Sequence, residues 1–205
     1  MSSIKSLGAA AALILFLPGC ASLVAPRVAT EAAALKEGAY GLDASHAALT
    51  FKIDHLGFSN YVGRFERFDA ELDFDAADPT AASISAVIDI ASLDIANDDF
   101  AETLTGPNWF DADAFPEATF TSTAIEVTGE NTGRMTGDLT LKGVTAPITL
   151  DVTFNGGAND ILRGAYIVGF SAQGTFDRTD FRIDRFAGVV GNDVTIEIEA
   201  EFERR

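Results

Sequence analysis

Val194-Thr195-Ile196-Glu197-Ile198-Glu199-Ala200-Glu201-Phe202, near the end of the chain, alternates apolar and polar residues without a break. Successive side chains of a strand point to opposite faces, so Val194, Ile196, Ile198, Ala200 and Phe202 share one face. Thr195, Glu197, Glu199 and Glu201 share the other. The stretch reads as a β-strand with one oily side and one wet side.

The same rule recurs from Tyr40 onward. Leu49, Phe51, Ile53 and His55 lie on one face of a first run, with Thr50, Lys52 and Asp54 opposite. A second run changes phase: Tyr61, Gly63 and Phe65 keep one parity, while Phe68, Ala70, Leu72 and Phe74 keep the other. A slip near Glu66-Arg67 is the sequence mark of a β-bulge. Ile84 to Ile90, Met135 to Leu141, Ile148 to Phe154 and Tyr166 to Phe176 follow, with a weaker strand over Thr119 to Val127. These make eight strands, each wet on one side only. Such a sheet must close on itself or pack against a second one. Short turns at Lys142-Gly143-Val144 and Asn155-Gly156-Gly157 predict antiparallel neighbours.

One connection is long, from Asp94 to Pro116. Phe100 and Leu104 are spaced for one helix face, so a helical turn is expected over Asp98 to Leu104, followed by Trp109, Phe110 and Phe115. An aromatic insertion of this kind reads as a plug or lid over one mouth. Small residues on the oily faces (Gly63, Ala70, Ala86, Gly137, and Gly169 or Gly174) either leave room inside or ease bending and tight packing; periodicity does not separate the two.

The composition narrows the function. Sixteen Phe against one Trp and three Tyr favours greasy interiors, because Phe carries no polar handle. A formal net charge of −17 excludes a phosphate-backbone binder, which needs clustered Lys and Arg. It also argues against docking on anionic head groups. The first nineteen residues read as a signal peptide, with Lys5 before the apolar run Leu7 to Leu17. That run is too short to span a bilayer. It ends in Leu17-Pro18-Gly19-Cys20, which resembles a bacterial lipobox. Cys20 is the single cysteine, so no disulfide forms within the chain, and acylation there is the expected attachment to a membrane. Ala21 rather than Asp after it resembles the sorting pattern for the outer membrane, facing the periplasm. Residues 20–37 then form a lipidated tether, and 38–205 the barrel domain.

Little here reads as catalysis. His46 and His55 are the only histidines, with no zinc-like spacing, no strand-to-helix Ser and no phosphate loop. No catalytic residue, metal or cofactor is assigned, and the chain is not expected to be an enzyme. His55 continues an oily face and reads as a core histidine or as a polar handle in a cavity. Asp98-Asp99 and Asp111/Asp113 read as solvated or helix-capping carboxylates. Asp177, Arg178, Asp180, Arg182, Asp184 and Arg185 alternate in sign and read as a salt-bridged loop or barrel rim.

Four motifs then carry a resemblance. Tyr40-Gly41-Leu42-Asp43-Ala44-Ser45-His46, followed by Phe51 to His55, resembles the opening of the YceI-like family of secreted, lipocalin-like proteins. The others are Trp109 to Ser122, Gly137-Asp138-Leu139-Thr140-Leu141-Lys142-Gly143-Val144 on to Leu150, and Phe176-Asp177-Arg178-Thr179-Asp180-Phe181. The resemblance implies an all-β fold: an extended eight-stranded antiparallel barrel with a short helical, aromatic insertion between strands 3 and 4. It implies a tunnel for a polyisoprenoid or an isoprenoid quinone. Asn97-Asp98-Asp99-Phe100 and Arg182 differ from the family pattern, which has Arg-Asp-x-His-Leu and Gly at these places.

The side chains expected to touch such a guest are Phe51, Ile53, His55, Phe65, Leu72, Phe74, Ile88, Ile90, Phe100, Leu104, Trp109, Phe110, Phe120, Leu139, Leu141, Leu150, Phe170 and Phe176. The expected partners are that lipid and the membrane through Cys20, with no nucleic acid and a homodimer left open. A solidly packed module acting through its acidic surface or aromatic loop is the competing reading, and cavity volume discriminates the two. An enzyme on lipids or quinones, using His55 and a nearby carboxylate, is a third.

Overall fold

A computed structural model describes residues 26–31 and 34–205. Its strands are β1 (Gly38–His55), β2 (Ser59–Phe65), β3 (Phe68–Phe74), β4 (Ser83–Asp89), β5 (Leu93–Ile95), β6 (Glu117–Val127), β7 (Thr132–Leu141), β8 (Val144–Asp160), β9 (Ala165–Asp177) and β10 (Asp193–Arg204). One helix, α1, spans Asp98–Thr105. All pairings are antiparallel, and β10 returns to β1 to close the tube, from Tyr40↔Arg204 to Ile53↔Val194. Ten segments make eight staves: β2 and β3 are halves of one bent strand on β1, and β4 and β5 are halves of the next. The bend between β2 and β3 falls where the sequence changes phase, at Glu66-Arg67. Alternation leaves closure and a second sheet both open; the closed eight-stranded antiparallel barrel that the family resemblance implies is the fold observed.

Closure answers the problem set by the sequence. The strands turn their apolar faces inside, and among the described residues the one strand left with a single neighbour is the three-residue β5, against which α1 packs. Two-residue Lys142-Gly143 joins β7 to β8 with both φ values positive (50° and 71°), the type I′ geometry whose twist matches the strands. Asn155-Gly156-Gly157 is not a turn. It lies within β8, where the register shifts between Phe154 and Gly156, and the chain reverses after Asp160 instead.

The glycine pair has another use. Ala29 and Gly157 exchange main-chain hydrogen bonds of 2.9 and 2.8 Å, and a Cβ on Gly156 would stand 1.9 Å from Val28. The segment before β1, expected as a free tether, is thus laid against the barrel. Leu35 is buried with Tyr40, Phe74, Tyr166 and Phe202, and Lys36 reaches Asn159 at 2.9 Å. The lipobox and Cys20 lie outside the described residues.

Two ends follow from this topology. One, the β1–β2 end, gathers the β1–β2 turn, α1, the aromatic insertion and the 178–192 loop; the other gathers residues 26–37, the β6–β7 turn and the β8–β9 turn. The expected helical turn is α1, capped by the Asn97 side chain on the Phe100 N–H at 3.0 Å, with Asp98 and Asp99 in its first turn. Acidic residues there face the positive end of the helix dipole.

Candidate functional site

Inside the barrel lies a cavity of about 650 Å³, walled almost wholly by apolar side chains. On β10 the wall runs from Val194 to Phe202, eight residues apart. At about 3.4 Å per residue that is roughly 27 Å of strand, or about 20 Å along the axis for a tilt near 40°. Both ends contribute: His55, Leu56, Phe186 and Val189 at the β1–β2 end, and Leu35, Phe74, Val127 and the 129–134 turn at the other.

The burial pattern records the hollow. Ile196, Ile198, Leu49, Val152 and Ala172 point inward yet stay only half-buried, because the space they face is unfilled. In a close-packed interior such residues would be sealed by neighbours. Leu139, Leu141, Ile148, Leu150 and Phe120, by contrast, pack against Ile90, Phe181 and Ile183. A solidly packed barrel does not describe this interior.

The small residues now divide. A Cβ on Gly63 would meet the Phe51 ring at 2.5 Å, on Gly137 the Phe120 ring at 2.3 Å, and on Gly174 the Leu150 side chain at 2.5 Å. Large side chains lie flat over these glycines, which are sites of tight packing. Room in the lumen comes instead from Ala70, Ala86 and Ala172, which stand in the wall.

All the side chains expected from sequence to touch a guest stand in the wall of this one cavity. Phe51 and Phe65 pair at 5.9 Å between centroids, Phe65 meets Phe110 edge-on at 5.9 Å, and Tyr61 meets Phe100 edge-on at 5.7 Å. The aromatic insertion therefore caps the β1–β2 end of the lumen with ring edges. His55 is not a core histidine: it is exposed at the rim, its ring 6.2 Å from Tyr61. The expected contacts leave out wall residues such as Leu49, Ile148, Ile196 and Phe202, which alternation places on apolar faces, and also Leu35, Arg178, Ile183, Phe186, Val189 and Val190. The second group belongs to segments without strand periodicity, so no alternation marks it.

Of the two readings of the 177–185 segment, the structure shows the barrel rim and not the salt-bridged loop. None of its charged residues forms a salt bridge within 4.0 Å among the described residues. Asp177 caps a 3-10 turn over Arg178–Phe181 through the Thr179 N–H at 2.8 Å. Arg178 is 3% exposed, and its guanidinium donates to the carbonyls of Gly191 (2.9 Å), Arg185 (3.0 Å), Val190 (3.4 Å) and Ile183. Burial pulls its pKa below the ordinary guanidinium value, although Asp177 and Asp184 oppose this. Arg178 is the latch of the loop that forms one side of the mouth. Arg182 takes a left-handed backbone (φ 59°), a conformation that glycine adopts most readily.

A polar cluster sits outside the barrel wall near the other end. Asp43, His46 and Glu201 bring ligand atoms within 4.8 Å of one another. The cation there is Arg163, which meets Asp43 at 2.9 Å, Asp160 at 2.8 Å and Glu201 at 2.8 Å. Hydrogen bonds from Ser45, then from His46 and Arg163, hold the Asp43 carboxyl far below its ordinary pKa. This cluster ties β1, β10 and the β8–β9 turn together.

Residues 40–202 match the family model described as a YceI-like domain. A UPF0312 protein of Pseudomonas syringae pv. syringae (strain B728a) is 38% identical over 161 residues, covering 78% of this chain and 82% of that protein. The crystal structure of BcnA from Burkholderia cenocepacia superposes with a TM-score of 0.71 at 26% identity, covering 78% of this chain and 98% of the other. A polyisoprenoid binding domain from Saccharophagus degradans, implicated in plant cell wall breakdown, shares the fold with a TM-score of 0.62 at 16% identity, over 83% and 100% of the two chains.

Proposed function

The chain belongs to the YceI-like family, and from that premise we propose that it holds one long-chain amphiphile, a polyisoprenoid or isoprenoid quinone, in the barrel lumen. The observation that carries this reading is the apolar cavity of about 650 Å³ running between the two ends. At about 30 Å³ for a water-sized group, it admits on the order of twenty methylene-sized units. At roughly 0.8 kcal/mol per buried methylene, the gross driving force is about 16 kcal/mol. Affinity is then not the limiting property, and shape and head-group contacts set selectivity. The structural neighbour from Saccharophagus degradans, a polyisoprenoid binding domain, supports the ligand class.

In this reading the tail lies along the lumen and the head group meets His55, Tyr61 and Trp109 near the β1–β2 mouth. The protein stores or carries its guest and does not transform it. Acylation at Cys20 holds it to a membrane, the outer one by the residue that follows, with the barrel in the periplasm. Native mass spectrometry of the chain purified from its own host, followed by lipid extraction, tests the proposal. One dominant long-chain isoprenoid species near one per barrel is expected. Repeated recovery of barrels carrying no long-chain lipid refutes it.

A further inference from the structure

We propose that the β1–β2 mouth is a docking face for a lipid bilayer of uncharged net head group, through which the guest passes between membrane and lumen. The inference rests on the tunnel reading and adds the surface that the tunnel opens onto.

Three segments ring this mouth: the β1–β2 turn, the 186–190 loop and the aromatic insertion. The first two are stitched together, since the Gly191 N–H donates to the Asp54 carbonyl at 3.0 Å. Trp109 stands 6.2 Å from Phe186 between centroids. On this rim Phe58 is 86% exposed, Val189 61%, Phe186 55% and Leu56 46%. Leu56, Phe186 and Val189 also line the cavity, so the apolar surface is continuous from lumen to tip.

Backbone geometry adds an independent sign. The turn His55-Leu56-Gly57-Phe58 closes with Phe58 N–H on the His55 carbonyl at 3.1 Å, with φ of 62° at Leu56 and 73° at Gly57. That is a type I′ turn, whose first central position suits Asn, Asp or Gly. Phe186 is likewise left-handed, at 57°. Large side chains here are disfavoured by the backbone and still leave about half of their surface in water. Residues held this way cluster at ligand clamps and binding sites.

The occupant follows from chemistry and charge. An isoprenoid tail that left a membrane through water would expose its methylenes one by one, whereas an apolar rim seated in the bilayer keeps the path dry. A net charge of −17 repels anionic surfaces, so the partner bilayer is one of low surface charge. The described N-terminal segment, residues 26–31 and 34–37, lies at the opposite end and leaves this mouth clear. At the opposite end Val127 is the one large apolar side chain among the described residues that is both exposed (55%) and in the cavity wall, against three at this mouth, while Ile161 and Leu162 are exposed on the β8–β9 turn outside the wall.

The test uses the full chain carrying Cys20→Ser, which prevents acylation and removes the single cysteine. A bimane label is placed at Ser59→Cys beside the mouth, or at Glu130→Cys at the far end, and the protein is mixed with phosphatidylcholine vesicles. The Ser59 label is expected to shift blue and be quenched by a lipid-borne quencher, while the Glu130 label stays in water. Phe58→Ser with Val189→Ser is expected to lower vesicle partition, read at Ser59, at least tenfold. Leu56→Asn is expected to weaken partition while holding or raising thermal stability, which a purely structural role for Leu56 would not do. No response at Ser59, an equal response at Glu130, or unchanged partition of the double variant overturns the proposal. Native mass spectrometry of the same samples separates the two readings. Lipid-filled barrels whose mouth ignores vesicles sink the docking proposal and leave the tunnel reading standing, whereas docking barrels that hold no lipid sink the tunnel reading and, with it, the passage of a guest through this mouth.

Discussion

Filling the lumen from its own wall gives a sharp measurement. Ala86 on β4 and Ala172 on β9 both face the cavity, and neither is sealed by its neighbours. Phe is the replacement to use, because an indole N–H would need a partner in this apolar wall. A Phe side chain carries roughly 150–250 Å². If half of that leaves water, at about 25 cal/mol per Å², each substitution gains about 2–3 kcal/mol. Rotamer loss removes roughly 0.5–1 kcal/mol of it. The net expectation for Ala172→Phe is about 1–2 kcal/mol of added stability, or roughly 2–8 °C in Tm for a chain of this size. Ala86→Phe with Ala172→Phe should add further, and long-chain lipid recovered per barrel should fall severalfold. Differential scanning calorimetry and lipid extraction on the same protein read both quantities. The opposite sign refutes the reasoning: overpacking a filled core costs about 1–3 kcal/mol. A destabilised double variant that keeps its full lipid content would mean that the space is not where the guest lies.

Three further outcomes follow from the same structure. Arg178→Met should cost about 3–5 kcal/mol in urea unfolding, since it strands the carbonyls of Ile183, Arg185, Val190 and Gly191, and Arg178→Lys should not restore it because one ammonium cannot reach four acceptors. Leu35→Ala should cost about 2–3 kcal/mol and quicken hydrogen exchange of the Ala29 and Gly157 amides, as the strap loses the one side chain buried among its described residues. Asp43→Asn should destabilise the protein at neutral pH by an amount that fades in acid. The folded-state pKa of Asp43 is depressed, so its contribution is complete above the ordinary carboxylate value near pH 4 and is lost as pH falls below it. Urea midpoints of both proteins between pH 7 and pH 2.5 check this, and a difference that grows in acid would contradict the sign.

Much of the fold is legible because closure leaves every strand a clean period of two. The phase change at Glu66-Arg67 reads directly as the bend between β2 and β3, and Lys142-Gly143 reads as the hairpin it is. Asn155-Gly156-Gly157 misleads for a physical reason: glycine pairs relax the backbone equally for a turn, for a bulge, or for a second chain segment lying close by. Here the last two apply, and the choice depends on where Val28 and Ala29 come to rest. Leu35 carries no periodic signal because it is a single anchor in an irregular segment. Arg178 sits in a string of alternating charges that looks solvated in one dimension, and only the loop wrapped around it supplies the carbonyls that replace water. The wall residues are legible as a face, but the emptiness they surround is not, since periodicity orients side chains without summing their volumes.

Sealing the tube by pairing β1 with β10 makes the first and last strands of the domain mutual prerequisites. Some 140 residues must be synthesised and delivered before Lys52 can meet Glu197 at 2.6 Å. Contacts so distant in the chain are slow to form, and until they do the oily faces of the intervening strands stand open beside an unpaired edge. A ribosome that stalls before β10 is complete therefore releases a half-rolled sheet prone to sticking to its own kind. Substitutions in that last strand should show themselves first as aggregation during production, well before any defect in a purified sample.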